Sequence, residues 1–262
     1  MKILLTNDDG FKASGLKALK SSIDDLGKVI SIAPDRERSA SGHSASFYRK
    51  MICRKIEDDG NYVAFTLNGT PVDCILIGLQ AFLPKGKPDL ILAGINAGSN
   101  MGRDIFYSGT VAAAREGYFH RISSIALSMD GENNFKYYSA SKVIKKLIRL
   151  MPQKLLENPI SLNINFPNIE FDQMKGMKLT NPGHVFHTKK IKKIKKSRQL
   201  NYYWIEGSKT DGLMKKNTDY WAIRNQYISM TIISDDKIDT ALEEYVKDWI
   251  QSFNRSLALS GR

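Results

Sequence analysis

Short apolar runs alternate with amphipathic stretches along the first half of the chain. The runs KILLT at residues 2–6 and VISIAP at residues 29–34 have the length and composition of buried strands. Between these runs, apolar side chains recur at the three- and four-residue spacing of a helix, at Leu16, Leu19, Ile23 and Leu26. The pattern therefore predicts a strand, a helix and a second strand at the start of the chain.

The same alternation continues to about residue 166. Further strands are predicted at residues 62–67, 89–94, 122–128 and 161–166, and helices are predicted near residues 72–82, 110–119 and 137–150. Strands that are almost continuously apolar and are separated by helices are typical of a parallel sheet covered on both faces. We therefore expect an α/β fold with a three-layer, doubly wound, mostly parallel sheet of Rossmann-like form.

Alternating aromatic and polar residues replace this pattern between about residues 176 and 234. Segments such as NYYWIEG and YISMTII predict antiparallel strands or hairpins. The last stretch is strongly amphipathic and predicts a C-terminal helix, with Thr240 and Glu243 placed as a capping box. Because no repeat or linker interrupts the chain, we expect a single domain over residues 1–262, with residues 176–234 forming a projecting hairpin region.

The composition is that of a globular protein. Apolar residues make up 42% of the 262 residues and charged residues 25%, which is enough apolar surface to form a large core. No run approaches the roughly 20 apolar residues of a membrane-spanning helix, and the apolar run in residues 1–6 is too short for a signal peptide. We therefore expect a cytoplasmic protein without a membrane partner. Cys53 and Cys74 are too few for a disulfide framework and are expected to be reduced and buried.

Positive charge is concentrated in one stretch. The formal net charge is +12, and the run KKIKKIKKSR at residues 189–198 contributes seven basic residues. Such a chain attracts phosphate-bearing partners, which include nucleotides, polyphosphate and nucleic acid. A solvated loop or hairpin arm is favoured over a nucleic-acid patch because no recognised nucleic-acid module surrounds the run. A nucleic-acid or polyphosphate binding protein that uses this segment is the alternative to an enzyme.

Polar residues follow three of the predicted strands where each strand ends. Asp8 and Asp9 follow the first strand, residues 33–44 end the second, and residues 95–110 follow the strand at 89–94. The carboxyl ends of parallel strands meet at one edge of the sheet, where ligands bind. Gly10 allows both carboxylates to turn toward one point, and a Mg²⁺ or Mn²⁺ ion would then offset their repulsion. A capping or Asx-turn role for Asp8 explains the dipeptide equally well.

A glycine-rich segment strengthens the interpretation of a metal and phosphate site. Its glycines recur every four residues from Gly94 to Gly102, which matches neither GxGxxG nor GxxxxGK[ST]. Ser108, Gly109 and Thr110 come directly before a strongly helical stretch. The N-terminus of a helix with hydroxyl groups is suited to bind phosphate, and Ser or Thr there also serves as an N-cap.

These motifs together resemble those of a known family. Several separate motifs occur in the order found in the survival protein E (SurE) family of metal-dependent nucleotide phosphatases, namely NDDG at 7–10, APDRERSASG at 33–42, GTPVDC at 69–74, GINAGSNMGRDIFYSGTVAAAREG at 94–117 and NTDYWAI at 217–223. The resemblance begins at Met1 and extends through most of the chain.

The resemblance implies a cytoplasmic 5′/3′-nucleotidase that hydrolyses nucleoside monophosphates and, in some members, short polyphosphate. It implies one divalent metal ion per subunit, Mg²⁺ or Mn²⁺, held by Asp8, Asp9, Ser39 and Asn96. It places the substrate phosphate against Asn96, Ser108, Gly109 and Thr110. It also implies a homodimer or homotetramer that exchanges C-terminal elements, which suits an oligomerisation role for residues 176–234.

Two routes of hydrolysis fit these residues. In the first, a divalent ion polarises the phosphoryl group and activates a water, and Asp8 or Asp9 accepts the proton as the catalytic base. In the second, Asp8 attacks directly and forms an aspartyl-phosphate. Enzymes of the second type carry a DxD pattern, whereas Gly10 stands here in place of the second Asp, so metal-activated water is preferred. His43 lies near the predicted site and is interpreted as a surface histidine.

Overall fold

Eleven strands and seven α-helices make up the described part of the chain, which in this computed structural model comprises residues 1–83, 86–184, 187–195, 201–209, 215–233 and 239–260. The strands are β1 (Lys2–Thr6), β2 (Lys28–Pro34), β3 (Cys53–Asp58), β4 (Tyr62–Leu67), β5 (Leu90–Ala97), β6 (Ser124–Met129), β7 (Ser161–Phe166), β8 (Met177–Leu179), β9 (His187–Lys195), β10 (Asn201–Lys209) and β11 (Ile228–Ile232). The helices are α1 (Ser14–Ile23), α2 (Pro71–Ile77), α3 (Gly109–Phe119), α4 (Tyr137–Arg149), α5 (Gln153–Glu157), α6 (Asp219–Arg224) and α7 (Thr240–Ser260).

Nine of the described strands form one sheet, in the order β3-β4-β2-β1-β5-β6-β7-β11-β8. Strand β1 pairs in parallel with both β2 and β5, and parallel pairing continues to β4 on one side and to β7 on the other. The direction in which strands are added therefore reverses between β1 and β5. In such sheets, ligands bind beyond the carboxyl ends of the strands at this reversal. The predicted α/β fold with a mostly parallel sheet is confirmed.

Helices cover both faces of the sheet. Ile3 and Leu5 of β1 pack in an apolar cluster that includes residues of α1, α4 and α7, whereas Leu4 packs in a second cluster with residues of α2 and α3. Because successive side chains of a strand point to opposite faces, β1 is buried on both sides and its sequence is continuously apolar. This burial fixes the position of the carboxyl end of β1, at the edge of the sheet that the strand ends form.

The region between residues 176 and 234 differs from the prediction. Strand β8 pairs in parallel with β11, and β11 pairs antiparallel with β7, so both strands belong to the main sheet. The predicted antiparallel hairpin is formed by β9 and β10, which within the described residues pair with each other alone. Strand β11 is buried along most of its length, and a short apolar strand inside a sheet has the same pattern as a hairpin strand. Residues 196–198 of the basic run lie outside the described residues.

Two local expectations are wrong. Helix α7 begins at Thr240, and the preceding Asp239 caps it by accepting a hydrogen bond from Ala241 N at 3.0 Å, so the N-cap is Asp239 and the predicted capping box of Thr240 and Glu243 is not formed. Cys74 is buried as expected, but Cys53 lies exposed on β3.

Among the helices of the described residues, none combines the length and the apolar character that crossing a membrane requires.

Candidate active site

The turn after β1 carries Asp8 and Asp9 and is fastened to the loop that follows β2. Gly10 adopts a positive φ of +94°, and a Cβ at this position would lie 3.1 Å from the main-chain carbonyl carbon of Arg36. Both features favour glycine at this position. The main-chain oxygen of Asp8 accepts a hydrogen bond from Arg38 N at 2.7 Å. The ends of two neighbouring parallel strands therefore meet here, as their polar ends predicted.

The carboxylate of Asp8 is buried and faces the N-terminus of α3. Its residue is only 4% exposed, and its Oδ1 accepts a hydrogen bond from the hydroxyl of Thr110. The pKa of Asp8 is raised to about 6, mainly by burial and also by the negative charge of Asp9, while the hydrogen bonds from Thr110 oppose the rise. The ionised carboxylate is therefore insufficiently compensated by the protein's own groups, and a cation would compensate it.

Asp9 lies beside the end of β5. Its Oδ2 accepts a hydrogen bond from Ala97 N at 3.1 Å, which brings it next to Asn96. Burial raises the pKa of Asp9, and the charge of Glu37 adds to this rise. The side-chain nitrogen of Asn96 donates to the carbonyl oxygen of Gly98 at 2.8 Å, so its side-chain oxygen remains available as a ligand.

Ser39 lies in the loop after β2 and is exposed. Its hydroxyl donates to the carboxylate of Glu37 at 2.6 Å. Because the charge of Glu37 acts on Asp9, this pair lies close to the two aspartates. Glu37 is a third carboxylate that the sequence pattern did not single out, since its only signal was its position after an apolar strand.

The N-terminus of α3 completes the cluster. Ser108 is the N-cap of this helix, and its oxygen accepts a hydrogen bond from Val111 N at 3.1 Å, which leaves the hydroxyl hydrogen free to donate. A Cβ at Gly109 would lie 2.7 Å from Ser41 Oγ and 3.1 Å from Asp8 Cβ. The absence of a side chain at Gly109 therefore allows the two preceding loops to pack against the start of α3.

The grouped side chains suit a hard divalent cation. Two carboxylates, an amide and a hydroxyl are all oxygen donors of the kind that Mg²⁺ and Mn²⁺ prefer. Asn7 Oδ1 and Ser41 Oγ are buried beside them and have no hydrogen-bond partner among the described residues. In the described part of the chain, no three or more His, Cys, Asp or Glu side chains are arranged to hold a metal. A metal at these residues therefore depends on the amide and the hydroxyl as well as on the carboxylates.

A buried carboxylate outside this cluster holds the glycine-rich segment in place. Asp219, the first residue of α6, accepts main-chain hydrogen bonds from Gly102 at 2.7 Å and from Gly183 and Tyr220 at 2.8 Å. Burial raises its pKa, and these hydrogen bonds oppose the rise. Asp219 lies within the motif NTDYWAI, but nothing in that motif indicated a contact with a residue 117 positions earlier in the chain.

The fold and the cluster together define an α/β protein with a candidate divalent-metal and phosphate site at the reversal between β1 and β5. The family model described as "Survival protein SurE" matches residues 3–189. The chain belongs to the SurE family, as its motifs predicted.

Proteins of the same family resemble the chain over most of its length. It is 38% identical over 228 residues to the 5′-nucleotidase SurE of Aquifex aeolicus, covering 87% of this chain and 90% of that protein. It is 38% identical over 253 residues to the 5′-nucleotidase SurE of Mannheimia succiniciproducens, covering 96% of this chain and 100% of that protein. The crystal structure of the SurE protein from Aquifex aeolicus is similar with a TM-score of 0.77 and 35% identity, covering 95% of this chain and 99% of that chain.

Proposed function

We propose that the protein is a metal-dependent nucleotidase that hydrolyses nucleoside 5′- and 3′-monophosphates and short polyphosphate. The observation that carries this proposal is the buried Asp8, which lies next to Asp9 and contacts the start of α3 through Thr110. A carboxylate pair beside a helix N-terminus can hold a cation and a phosphate at adjacent positions. The relatives named 5′-nucleotidase SurE, at 38% identity over most of the chain, support the same class of enzyme.

We assign one divalent ion per subunit, Mg²⁺ or Mn²⁺, to Asp8, Asp9, Ser39 and Asn96. When bound, the cation supplies Lewis-acid polarisation of the phosphoryl group and activation of a water for attack. The protein contributes two negative charges, one of them already desolvated, and Asn96 contributes an oxygen that its hydrogen bond to Gly98 leaves available. The Ser39 hydroxyl donates a hydrogen bond to Glu37 in this structure. Its oxygen would bind the ion either while keeping that hydrogen bond or after losing it.

We assign the phosphate to the start of α3 and to Asn96, with Ser108, Gly109 and Thr110 in different roles. The helix N-terminus carries partial positive charge and unpaired N–H groups, which favour an anion. The Thr110 hydroxyl already binds Asp8, so this residue positions the carboxylate. The hydroxyl hydrogen of Ser108 and the N–H group of Gly109 are then the donors for the phosphate oxygens.

Asp9 is the better placed of the two carboxylates to accept the proton of the attacking water. Asp8 is almost completely buried, and one of its oxygens is used by Thr110. These contacts also argue against the rival route, because a nucleophilic Asp8 needs an open face toward phosphorus for direct attack. The alternative of a protein that only binds nucleic acid or polyphosphate through residues 189–198 is not favoured, since the relatives are named as nucleotidases.

Phosphate release from a panel of 5′- and 3′-mononucleotides and tripolyphosphate, with Mn²⁺, with Mg²⁺ and with chelator, tests the proposal. We expect release that depends on the metal and that Asp9→Asn reduces at least ~100-fold, as is usual when a base that acts with a metal is removed. Asp24→Asn is the matched control, because Asp24 is an exposed carboxylate at the end of α1. Release that survives chelator, or an acid-stable phosphate trapped on Asp8, would contradict the mechanism.

The quaternary structure belongs to the same proposal. A homodimer or homotetramer that exchanges C-terminal elements would cover the β9–β10 hairpin, on which Ile191, Trp204 and Ile205 are each about two-thirds exposed. Exposed apolar side chains in one small element favour association with another chain.

A further inference from the structure

A long loop without regular secondary structure carries Ser39 toward the two aspartates. Residues 35–52, which we call the Ser39 loop, connect β2 to β3 and contain neither a helix nor a strand. Main-chain hydrogen bonds fix the loop near its start, from Arg38 N to Asp8 O at 2.7 Å, and near its middle, from Gly42 N to Tyr107 O at 3.0 Å. A loop of this length keeps one conformation only where enough contacts fix it.

A histidine in this loop binds a carboxylate on α3. His43 Nε2 lies 2.8 Å from Glu116 Oε2, and the His43 ring stacks on Phe119 with 5.5 Å between ring centroids. A carboxylate can only accept, so His43 Nε2 carries the hydrogen in this contact. His120 binds the other oxygen of Glu116 at 3.1 Å. The hydrogen bond and charge of His43 lower the pKa of Glu116, so the carboxylate remains ionised.

The pair is partly shielded from water, because the Glu116 carboxylate is mostly buried whereas His43 as a residue is exposed. The Glu116 side chain is 13% exposed and the His43 side chain 27% exposed. A hydrogen bond to an ionised group in such a position holds a loop more firmly than an exposed ion pair does.

The position of Glu116 on α3 excludes a direct part in the reaction. Glu116 follows Thr110 by six residues, which corresponds to about 9 Å along the helix axis. With its ring held against Glu116, His43 points away from a phosphate at the start of α3. The same helix nevertheless contacts Asp8 through Thr110 and the Ser39 loop through Glu116. A rigid helix thus sets the position of one assigned metal ligand relative to another.

We propose that His43 is a positioning residue, whose hydrogen bond to Glu116 holds the Ser39 loop against α3 and thereby sets the affinity of the site for its divalent ion. This inference rests on the proposed metal site. Without the pair, the loop samples further conformations, and binding of the ion must select the one that brings Ser39 to the aspartates. The affinity falls accordingly, although all four assigned ligands are still present in the chain.

Binding of Mn²⁺ to the full-length protein, followed by the electron paramagnetic resonance signal of the free ion, tests this role without substrate. We expect His43→Ala to weaken binding about five- to tenfold, which corresponds to the net contribution of one ordinary, partly exposed hydrogen bond. His43→Gln places an amide N–H near the position of Nε2 and is expected to bind within about twofold of the wild type. Circular dichroism of each variant verifies that the fold is retained.

His120→Ala is the matched control. His120 binds the same carboxylate as His43, but it is the C-cap residue of α3 and does not belong to the loop, so its removal is expected to change Mn²⁺ affinity less than about twofold. Wild-type affinity in His43→Ala overturns the inference. An equal loss in His43→Ala and His120→Ala also overturns it, because the charge around Glu116 and not the loop would then be responsible. Failure of the wild type to bind Mn²⁺ overturns the proposed metal site itself.

Discussion

At the scale of single residues, Asp8 is an acid whose ionisation opposes folding in the absence of metal. Its pKa rises from the ordinary value of 3.8 to about 6 in the folded chain, mainly because it is buried. An acid with a raised pKa favours the folded state when protonated, so its contribution to stability is lost as the pH rises from about 4 to above 6. The metal-free protein therefore carries an energetic penalty at neutral pH that a bound cation would remove.

We predict that Asp8→Asn makes the metal-free protein more stable at pH 7.5. The amide keeps an oxygen that can accept the Thr110 hydroxyl but carries no charge, so the gain is up to about 3 kcal/mol, at roughly 1.4 kcal/mol for each pKa unit. The gain should shrink toward zero as the pH falls to 4. Urea unfolding in chelator at both pH values measures it, with Asp24→Asn as the neutral control.

The same unfolding experiments with Mn²⁺ distinguish the two roles of Asp8. Wild-type protein should gain stability from the ion, because a ligand that binds only the folded state shifts the equilibrium toward it. Asp8→Asn should gain little. A variant that is less stable than the wild type in chelator at pH 7.5 would show that the ionised carboxylate is compensated by the protein itself.

At the scale of the elements, the positions of the strands follow from local sequence and the positions of the loops do not. The bounds of β1, β4 and β7 coincide with the predicted strands, because each is an apolar run of five or six residues that ends at polar residues. The path of residues 35–52 depends on partners distant in the chain, of which Glu116 lies 73 residues from His43.

The candidate site shows the same division. Polar residues at the carboxyl ends of parallel strands lie at one edge of the sheet and pointed to Asp8, Asp9 and the start of α3, and the family resemblance added Ser39 and Asn96. They could not indicate that the Thr110 hydroxyl binds Asp8, or that Glu37 acts on Asp9, since both contacts require the packed loops. The family and the nucleotidase class are confirmed by the relatives, and the roles of the individual residues remain predictions.

Asp219 links three elements, and its substitution should loosen the site without touching it. Asp219→Asn keeps the shape of the side chain but replaces an acceptor oxygen with an NH₂ group. This NH₂ group would face at least one of the three main-chain N–H groups that now donate hydrogen bonds to the carboxylate. We expect a loss of about 1–3 kcal/mol in the free energy of unfolding, the usual penalty for a buried donor without a partner. Urea unfolding measures this loss.

The effect of Asp219→Asn on activity follows from the hydrogen bond that Asp219 accepts from Gly102 N. Gly102 begins a short helical turn, Gly102–Phe106, that leads directly into the start of α3. We expect KM for mononucleotides to rise, because the segment that leads into the phosphate donors is less well held. Asp172→Asn, at an exposed carboxylate, should leave both stability and KM unchanged. Unchanged KM in Asp219→Asn would show that the start of α3 is held independently of α6.

At the scale of the whole molecule, the β9–β10 hairpin exposes large apolar side chains, which is unfavourable in a chain that stays isolated in water. Ile205 lies opposite Ile191 in the register of the two strands, and each of these side chains is 66% exposed. Trp204, which is 65% exposed, lies opposite Lys192. The net charge of +12 opposes association of identical chains, so apolar contacts in the hairpin would have to outweigh this repulsion. Association should therefore become stronger as salt screens the charge.

We predict that the wild-type protein has a mass in solution of two or four times 29.5 kDa and that substitutions in the hairpin lower it. Trp204→Glu together with Ile205→Lys removes two exposed apolar side chains of one strand, and sedimentation or light scattering should then report a smaller species with unchanged circular dichroism. Ile56→Lys is the matched control, because Ile56 is an exposed apolar residue of β3, in the main sheet. A double variant of unchanged mass would place the oligomer contact outside this hairpin. A monomeric wild type would exclude an oligomer altogether.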